Sequence, residues 1–473
     1  MIADWLSLIL SALAVWAVIF SVYVVSERRS PASTISWVLT LGFLPIVGFA
    51  VYYFLGPRRF DRKKRRRAQA QQAVKEALVV PEDGSVDEAD DVEFLVAMNN
   101  GALGASAHRR AASLKLLFSG VETYSQIVHD IGQAKHHINM EYYIWEPDSI
   151  GTRLRDALVA SAKRGVAVRL HLDGVGSAKA NKRFWRPLTE AGGRVSHFNR
   201  LAIRRRTGNF RTHRKIIVVD GTIGYSGGMN IIDVHSEEFS GENAWRDTHL
   251  RLEGPATRGL QMVFNEGWYD CTGEILDGVD FFPTNTAVQA DARSVQVVSS
   301  GPDESRNAIH KLIAASLFAS VRRVYITTPY FVPDPTICDA LNAAALRGAD
   351  VRILVPRKND LKLIGAASRS YYPGLLDVGV RIFEYGPRMV HAKTLVVDNM
   401  LALVGTANVD NRSFRLNFEV GVACYNSYVC EQLVAAFEDD LASATEVTAE
   451  MVAEYSRLRR LGQSFARLVS PLL

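Results

Sequence analysis

The stretch THRKIIVVDGTIGYSGGMN, Thr212–Asn230, holds a histidine, a lysine, an aspartate, a glycine pair and an asparagine at fixed offsets. The chain repeats the arrangement as VHAKTLVVDNMLALVGTAN, Val390–Asn408. Five fixed positions, at about one in twenty each, recur by chance in about one of several thousand chains of this length. Two occurrences therefore mark a duplicated design. In the first copy HRKIIVVD is an extended, β-branched run closed by Asp220-Gly221, a hairpin turn signal. His213 and Lys215, two apart, project from one face of such a strand. Asp220 has the opposite parity, which makes it a structural support and not a proton carrier. His391, Lys393 and Asp398 repeat the geometry. Gly227-Gly228 and Gly405-Thr406 let the backbone approach a ligand closely. Asn230 and Asn408 then return a polar side chain to the same end.

The segments ahead of each motif are duplicated as well. HHINMEYYIWEPD leads through a helical stretch to KRGVAVRLHLDG, and VRRVYITTPYFVPD leads to ALNAAALRGADVRILVP. Both read as apolar strand, Pro-Asp turn, amphipathic helix, Arg-Gly, alternating strand. That order predicts parallel pairing and an α/β fold. A boundary near residue 290 separates module 1, residues 101–290, from module 2, residues 291–473.

Ahead of the modules, Leu6–Val25 and Ile35–Leu55 are uncharged runs, each long enough to cross about 30 Å of hydrocarbon as a helix. With only SERRSPAST between them, residues 1–57 read as a transmembrane hairpin. A cleaved signal peptide fits poorly, because MIAD lacks a basic start and the first apolar run is too long. Residues 58–100 read as a linker, basic and then acidic. Eight of the ten residues Arg58–Arg67 are basic, which puts the following domain on the cytoplasmic side and attracts anionic headgroups. Outside that cluster the net charge of +5 becomes about −2, so a uniformly basic nucleic-acid binder is excluded. Cys271, Cys338, Cys424 and Cys430 lack zinc spacing and read as free thiols.

Two histidines, two lysines and two asparagines meeting between the halves would make a site for one phosphate. Lysine and asparagine stabilise charge on the non-bridging oxygens. One histidine attacks phosphorus while the other protonates the leaving alcohol. Nucleophile and acid must come from opposite sides, and a pseudo-two-fold pair of modules supplies both. Arg204–Arg206 and Arg211, just before the first motif, either guide anionic headgroups or form a solvated loop. In YSRLRRLGQSFARLVSPLL, Leu458, Leu461, Phe465 and Leu468 form one helical stripe, read as packing against the domain, with a lipid contact the alternative.

The doubled H-x-K-x4-D-x6-G-[GT]-x-N pattern resembles the signature of the phospholipase D superfamily. MEYYIWEPD, LHLDGVGS, AWRDTHLRLEGPA, TPYFVPD and GTANVDNRSFRLNFE are similar to bacterial cardiolipin synthases with an amino-terminal membrane hairpin. The resemblance implies an α/β fold of two tandem phospholipase D-like modules with pseudo-two-fold symmetry behind a two-helix transmembrane hairpin. It implies His213, Lys215, Asp220, His391, Lys393 and Asp398 as the catalytic motif, with His213 the nucleophile, and Asn230 and Asn408 as phosphate-holding. Glu419 in NFE is expected to orient His391, and Asp247 in WRD to orient His213. The implied activity is phosphatidyl transfer between two phosphatidylglycerol molecules, giving cardiolipin and glycerol through a phosphatidyl-histidine. Neither metal nor cofactor is expected, and hydrolysis by a phospholipase D is the alternative. The expected partners are phosphatidylglycerol and anionic lipids of the inner membrane, not nucleic acid.

Overall fold

The computed structural model describes residues 2–26, 31–44, 48–49, 109–199, 210–283, 293–302 and 307–469. The Arg58–Arg67 cluster, the acidic linker, Arg204–Arg206 and the boundary near 290 lie outside the described residues. The chain separates into Met1–Lys63 and Lys64–Leu473.

In the larger unit the first half supplies β1 (Arg109–Ala111), β2 (Ser113–Leu117), β3 (His137–Tyr142), β4 (Ala167–Asp173), β5 (Arg194–Phe198), β6 (Arg211–Thr212), β7 (Lys215–Val219), β8 (Ile223–Gly227) and β9 (His249–Glu253). The second supplies β10 (Arg293–Ser300), β11 (Arg323–Thr327), β12 (Phe331–Val332), β13 (Asp350–Pro356), β14 (Arg381–Tyr385), β15 (Thr394–Val397), β16 (Leu401–Gly405), β17 (Val409–Asp410), β18 (Asn417–Cys424) and β19 (Ala444–Val447). One sheet runs β2-β9-β8-β7-β3-β4-β5. The other contains β10-β18-β16-β15-β11-β13-β14, the same order from equivalent strands. Directions match too: β3-β4-β5 and β11-β13-β14 are parallel, and the remaining neighbours in both series are antiparallel. The expected parallel pairing holds for the strand–helix–strand part. The motif-bearing hairpins β7-β8 and β15-β16 make each sheet mixed.

Why β7 sits centrally follows from IIVV, Ile216–Val219, which is apolar on both faces and so must lie between two layers. Ile217 and Val219 join Ile138, Leu154, Leu158 and Leu170 in the first half's own core. Ile216 and Val218 join Leu250 and Leu252, and across the seam Val396, Val404, Val420 and Val422. The two sheets therefore share one apolar core.

The Pro-Asp turns act as helix caps in both halves. Asp148 accepts from Gly151 N (2.9 Å) at the start of α4 (Ser149–Lys163), and Asp334 from Ile337 N (3.2 Å) at the start of α8 (Pro335–Leu346). The longer helices of this unit are α3 (Gly120–Gln133), α4, α5 (Lys182–Glu190), α6 (Thr257–Thr272), α7 (Ala308–Ala319), α8, α9 (Lys362–Arg369), α10 (Ser427–Leu441) and, after the last strand, α11 (Arg457–Val469). Helices α4 and α8 both end at Arg-Gly, with Gly165 and Gly348 at φ 94° and 93°, a backbone that glycine adopts without a Cβ clash.

The motif aspartates are structural. Asp220 accepts from the amides of Lys135 (2.8 Å), His136 (2.8 Å) and His137 (2.9 Å) ahead of β3. Asp398 accepts from Val321 (2.9 Å), Arg322 (2.8 Å) and Arg323 (2.8 Å) ahead of β11. Each sits at a left-handed φ, 50° and 52°, which aspartate tolerates in a tight turn.

In the smaller unit α1 (Ile2–Ser26) contains the whole first apolar run, and α2 (Pro31–Phe43) begins the second. They pack through Val24 and Leu41, with Trp16, Phe20, Tyr23 and Trp37 against them. Val15, Val18, Ile19, Val22 and Val25 of α1, and Ile35, Leu39 and Phe43 of α2, are exposed. Among the described residues no helix is long and apolar enough to cross a membrane. Residues 45–47 and 50–55 of the second run lie outside them.

Asp398→Ala should lower unfolding stability by about 2 kcal/mol, through three lost charge-assisted hydrogen bonds. Thermal denaturation followed by circular dichroism, with activity per folded molecule nearly unchanged, checks this.

Candidate active site

Two short backbone contacts carry each histidine into the opposite half. Strand β6 leaves its own sheet and pairs with β18, Arg211 with Asn417 and Thr212 with Phe418. His213 N then donates to Phe418 O at 2.9 Å. On the other side Arg246 bridges Val390, and His391 N donates to Arg246 O at 2.6 Å. The residue following each carbonyl is an acid, Glu419 or Asp247. Consequently His213 Nδ1 meets Glu419 Oε2 at 3.0 Å, and His391 Nδ1 meets Asp247 Oδ2 at 2.7 Å.

This pairing corrects the expectation that each acid serves the histidine of its own half. Glu419 belongs to His213 and Asp247 to His391. Sequence order suggested nearest-neighbour partners, and only the crossing of β6 onto β18 reverses them. The pattern gave no signal of that crossing.

Asp220 and Asp398, although part of the motif, do not join the histidines. Each lies beyond the far end of its strand, roughly 20 Å from the imidazole at about 3.3 Å per residue. The glycine pair also serves differently from expectation. A Cβ on Gly228 would lie 2.0 Å from Asp247 Oδ1, and one on Gly405 2.7 Å from Val420 O. Glycine makes room for the carboxylate and the neighbouring strand, not for a ligand. In the second half Thr406 Oγ1 donates to Glu419 Oε2 at 2.5 Å, and Asn417 Nδ2 to Oε1 at 3.1 Å.

Burial sets the protonation states. His213 and His391 are 8% and 7% exposed. Desolvation pulls His213 down to about 4, despite the opposing pull of Glu419. His391 is also held well below the ordinary imidazole value, first by burial, then by Lys393, Lys215 and His213. Near neutral pH both rings are therefore uncharged. With Nδ1–H donated to a carboxylate, each ring carries its lone pair on Nε2, which at His391 faces Lys393. Lys215 is pushed down to about 7, by burial and then by Lys393, and Lys393 to about 8 by burial. Glu419 falls below the usual carboxylate range, because His213 and Lys215 more than offset its burial.

Lys215 Nζ donates to His213 O (2.8 Å), and Lys393 Nζ lies 2.9 and 3.0 Å from the two His391 ring nitrogens. Asn230 Oδ1 accepts weakly from Ile144 N (3.4 Å). Asn408 Nδ2 donates to Asp410 Oδ2 (3.3 Å), whose carboxyl burial raises to about 6. Three aromatic neighbours escaped sequence reasoning. Tyr143 stands edge-on to His213 at 4.8 Å, and Trp245 and His235 lie 5.2 and 5.1 Å from His391. No repeated spacing marks them. Among the described residues, His235, Asp247 and His391 bring three ligand-type atoms within 4.8 Å of one another. Two lysines beside them oppose a dication there by like-charge repulsion.

The family described as cardiolipin synthase, PLD-like domain, matches residues 127–261 and 313–441. The chain belongs to that family. A second family, phospholipase D-nuclease N-terminal, matches residues 9–57. Among its PLD-like relatives, the chain is 39% identical to a cardiolipin synthase of Geobacillus sp. (strain WCH70), covering 98% of this chain and 94% of the relative. It is 39% identical to cardiolipin synthase 2 of Bacillus cereus, covering 94% and 88%. A solved phosphatidylserine synthase from Haemophilus influenzae Rd KW20 shares the fold, with a TM-score of 0.62 at 18% identity over 80% of this chain and all of that one.

Gly228→Ala should displace Asp247 and cut turnover about 10²-fold, as loss of an orienting partner does elsewhere. Thr406→Ala removes one hydroxyl from Glu419 and should cost about tenfold. Steady-state turnover of the two variants, compared at equal folded fraction, tests the order.

Proposed function

We propose that the chain is a cardiolipin synthase, moving a phosphatidyl group from one phosphatidylglycerol to another. The observation that carries this reading is the pair of neutral imidazoles, each tied by Nδ1 to the other half's carboxylate, with two buried lysines beside them. Full-length relatives bearing the name cardiolipin synthase support the choice of substrate.

His213 Nε2 attacks phosphorus, and the bond from phosphorus to the headgroup glycerol breaks. His391 first takes a proton at Nε2 from solvent and then delivers it to the departing glycerol. Incoming phosphate charge favours that protonation, because it counters the desolvation holding His391 neutral. The hydroxyl of a second phosphatidylglycerol then attacks the phosphatidyl-histidine while His391 takes its proton, and the nitrogen–phosphorus bond breaks. One phosphodiester replaces another, so no nucleotide is consumed. Lys215, Lys393, Asn230 and Asn408 hold the non-bridging oxygens, and Glu419 and Asp247 fix the rings. His213 is taken as the nucleophile because it is the histidine of the first motif, the position that attacks in the superfamily whose doubled signature the chain carries.

The same reading has α1 and α2 embedded in the inner membrane, supported by their outward apolar side chains. The basic segment that follows argues for a cytoplasmic catalytic part, in modules 101–290 and 291–473 after a linker at 58–100.

Purified full-length protein in vesicles containing labelled phosphatidylglycerol should release glycerol and cardiolipin in equal amounts. His213→Ala should abolish both. Phosphatidic acid without cardiolipin would make the chain a hydrolase and sink the proposal. The pH profile is a separate check. Both lysines act as cations, and their depressed values mean that charge is lost as pH rises through about 7 and then about 8. The kcat/KM should accordingly decline across that window. Bound diester raises both values, so the limb in kcat should lie at higher pH.

A further inference from the structure

The stripe Leu458, Leu461, Phe465 and Leu468 does not pack against the domain. The residues are 80%, 67%, 62% and 77% exposed. Helix α11 is held instead by Gln463 and Ala466, with Ala466 in a small cluster with Val332, Ile364 and Ala367. At the start of α9, Leu361, the residue before it, and Leu363 are exposed as well. RLRRLGQSFARLV carries four arginines and no acid. Arg459 lies over the Tyr455 ring at 3.5 Å, Arg467 over Tyr371 at 4.2 Å, and Arg460 donates to Tyr455 O at 3.1 Å. These contacts position the guanidinium groups, and the residues remain exposed.

The helix also stands near the chemistry. Val332, in its cluster, belongs to β12, which pairs with β17, Val332 opposite Asp410. Asp410 accepts from Asn408. Packing and pairing thus run from the helix through α9, β12 and β17 to Asn408, a motif residue.

We infer that α11 is an in-plane docking helix for an anionic bilayer surface. Its leucines and phenylalanine enter the boundary between headgroups and acyl chains, and its arginines contact lipid phosphates. Charge selects this occupant. A second copy across a two-fold contact would set four arginines against four more without an acid on the helix to pair them. The inference deepens the lipid-transferase reading and rests on it for its purpose: it brings the bilayer to the strands that carry the site.

The test uses full-length protein carrying Leu461→Cys, with Cys271 and Cys338 changed to serine, labelled with a nitroxide and reconstituted in phosphatidylglycerol vesicles. The label should collide more with dissolved oxygen than with a water-soluble nickel chelate, and less so in pure phosphatidylcholine. Preferential collision with nickel, meaning a solvated helix, overturns the inference. Exclusion of both, meaning a helix covered by another segment, copy or protein, overturns it too. In parallel, Leu458→Asp, Leu461→Asp and Phe465→Asp together should raise the KM for vesicle phosphatidylglycerol at least about tenfold. Turnover of monomeric short-chain phosphatidylglycerol should stay unchanged, and equal losses on both substrates would mean a merely structural helix. Wild-type protein inactive on both substrates would defeat the transferase reading, while the nitroxide result would still decide the docking.

Discussion

Everything at this site depends on two backbone hydrogen bonds that cross between the halves, His213 N to Phe418 O and His391 N to Arg246 O. Each fixes a histidine one residue from an acid of the other half. A carboxylate in apolar surroundings is costly unless its lone pairs are filled. Here the imidazole fills one of them, so the acid that pays for its burial through the ring also sets the ring's tautomer. Because each half provides the partner that the other half's histidine needs, neither has a complete site alone. The duplication follows from that physical requirement.

The halves are equivalent in topology but not in detail, and the differences compensate. The first uses the shorter acid, Asp247, and must remove the side chain at 228 to bring it close. The second uses the longer Glu419, and position 406 keeps a hydroxyl that donates to it. A glycine with an aspartate, or a threonine with a glutamate, fills the same space. Mixing them would leave either a clash or an unfilled acceptor. Both lysines donate to the carbonyl of their own histidine, but Lys393 also lies against the His391 ring. A symmetric scaffold thus holds two chemically distinct imidazoles, as attack and proton delivery demand.

How much of this was legible in the sequence follows the range of the interactions. Local signals read well. HRKIIVVD contains a strand, Asp220-Gly221 turns a hairpin, and the Pro-Asp turns at Asp148 and Asp334 lead into helices. The parity argument also read Asp220 and Asp398 correctly as supports, since their partners are amides a strand away from the histidines. The acid pairing was misread because it depends on β6 and Arg246 crossing to the opposite sheet. Two- and one-residue pairings of this kind have no periodicity to detect. His235, Tyr143 and Trp245 were missed for the same reason.

The C-terminal helix marks the other limit of pattern reading. An apolar stripe at helical spacing is equally a core face or a lipid face, and the stripe alone cannot distinguish them. What decides is which residues between the stripes are small. Ala466, flanked by Phe465 and Arg467, lets α11 lie close against α9, and Gln463 sits on the same buried side. Close packing on alanine removes little apolar area from water, so the energy available from the large side chains remains on the outer face. A helix that anchors by its smallest residues and displays its largest is built to bind twice, once to its own domain and once outward.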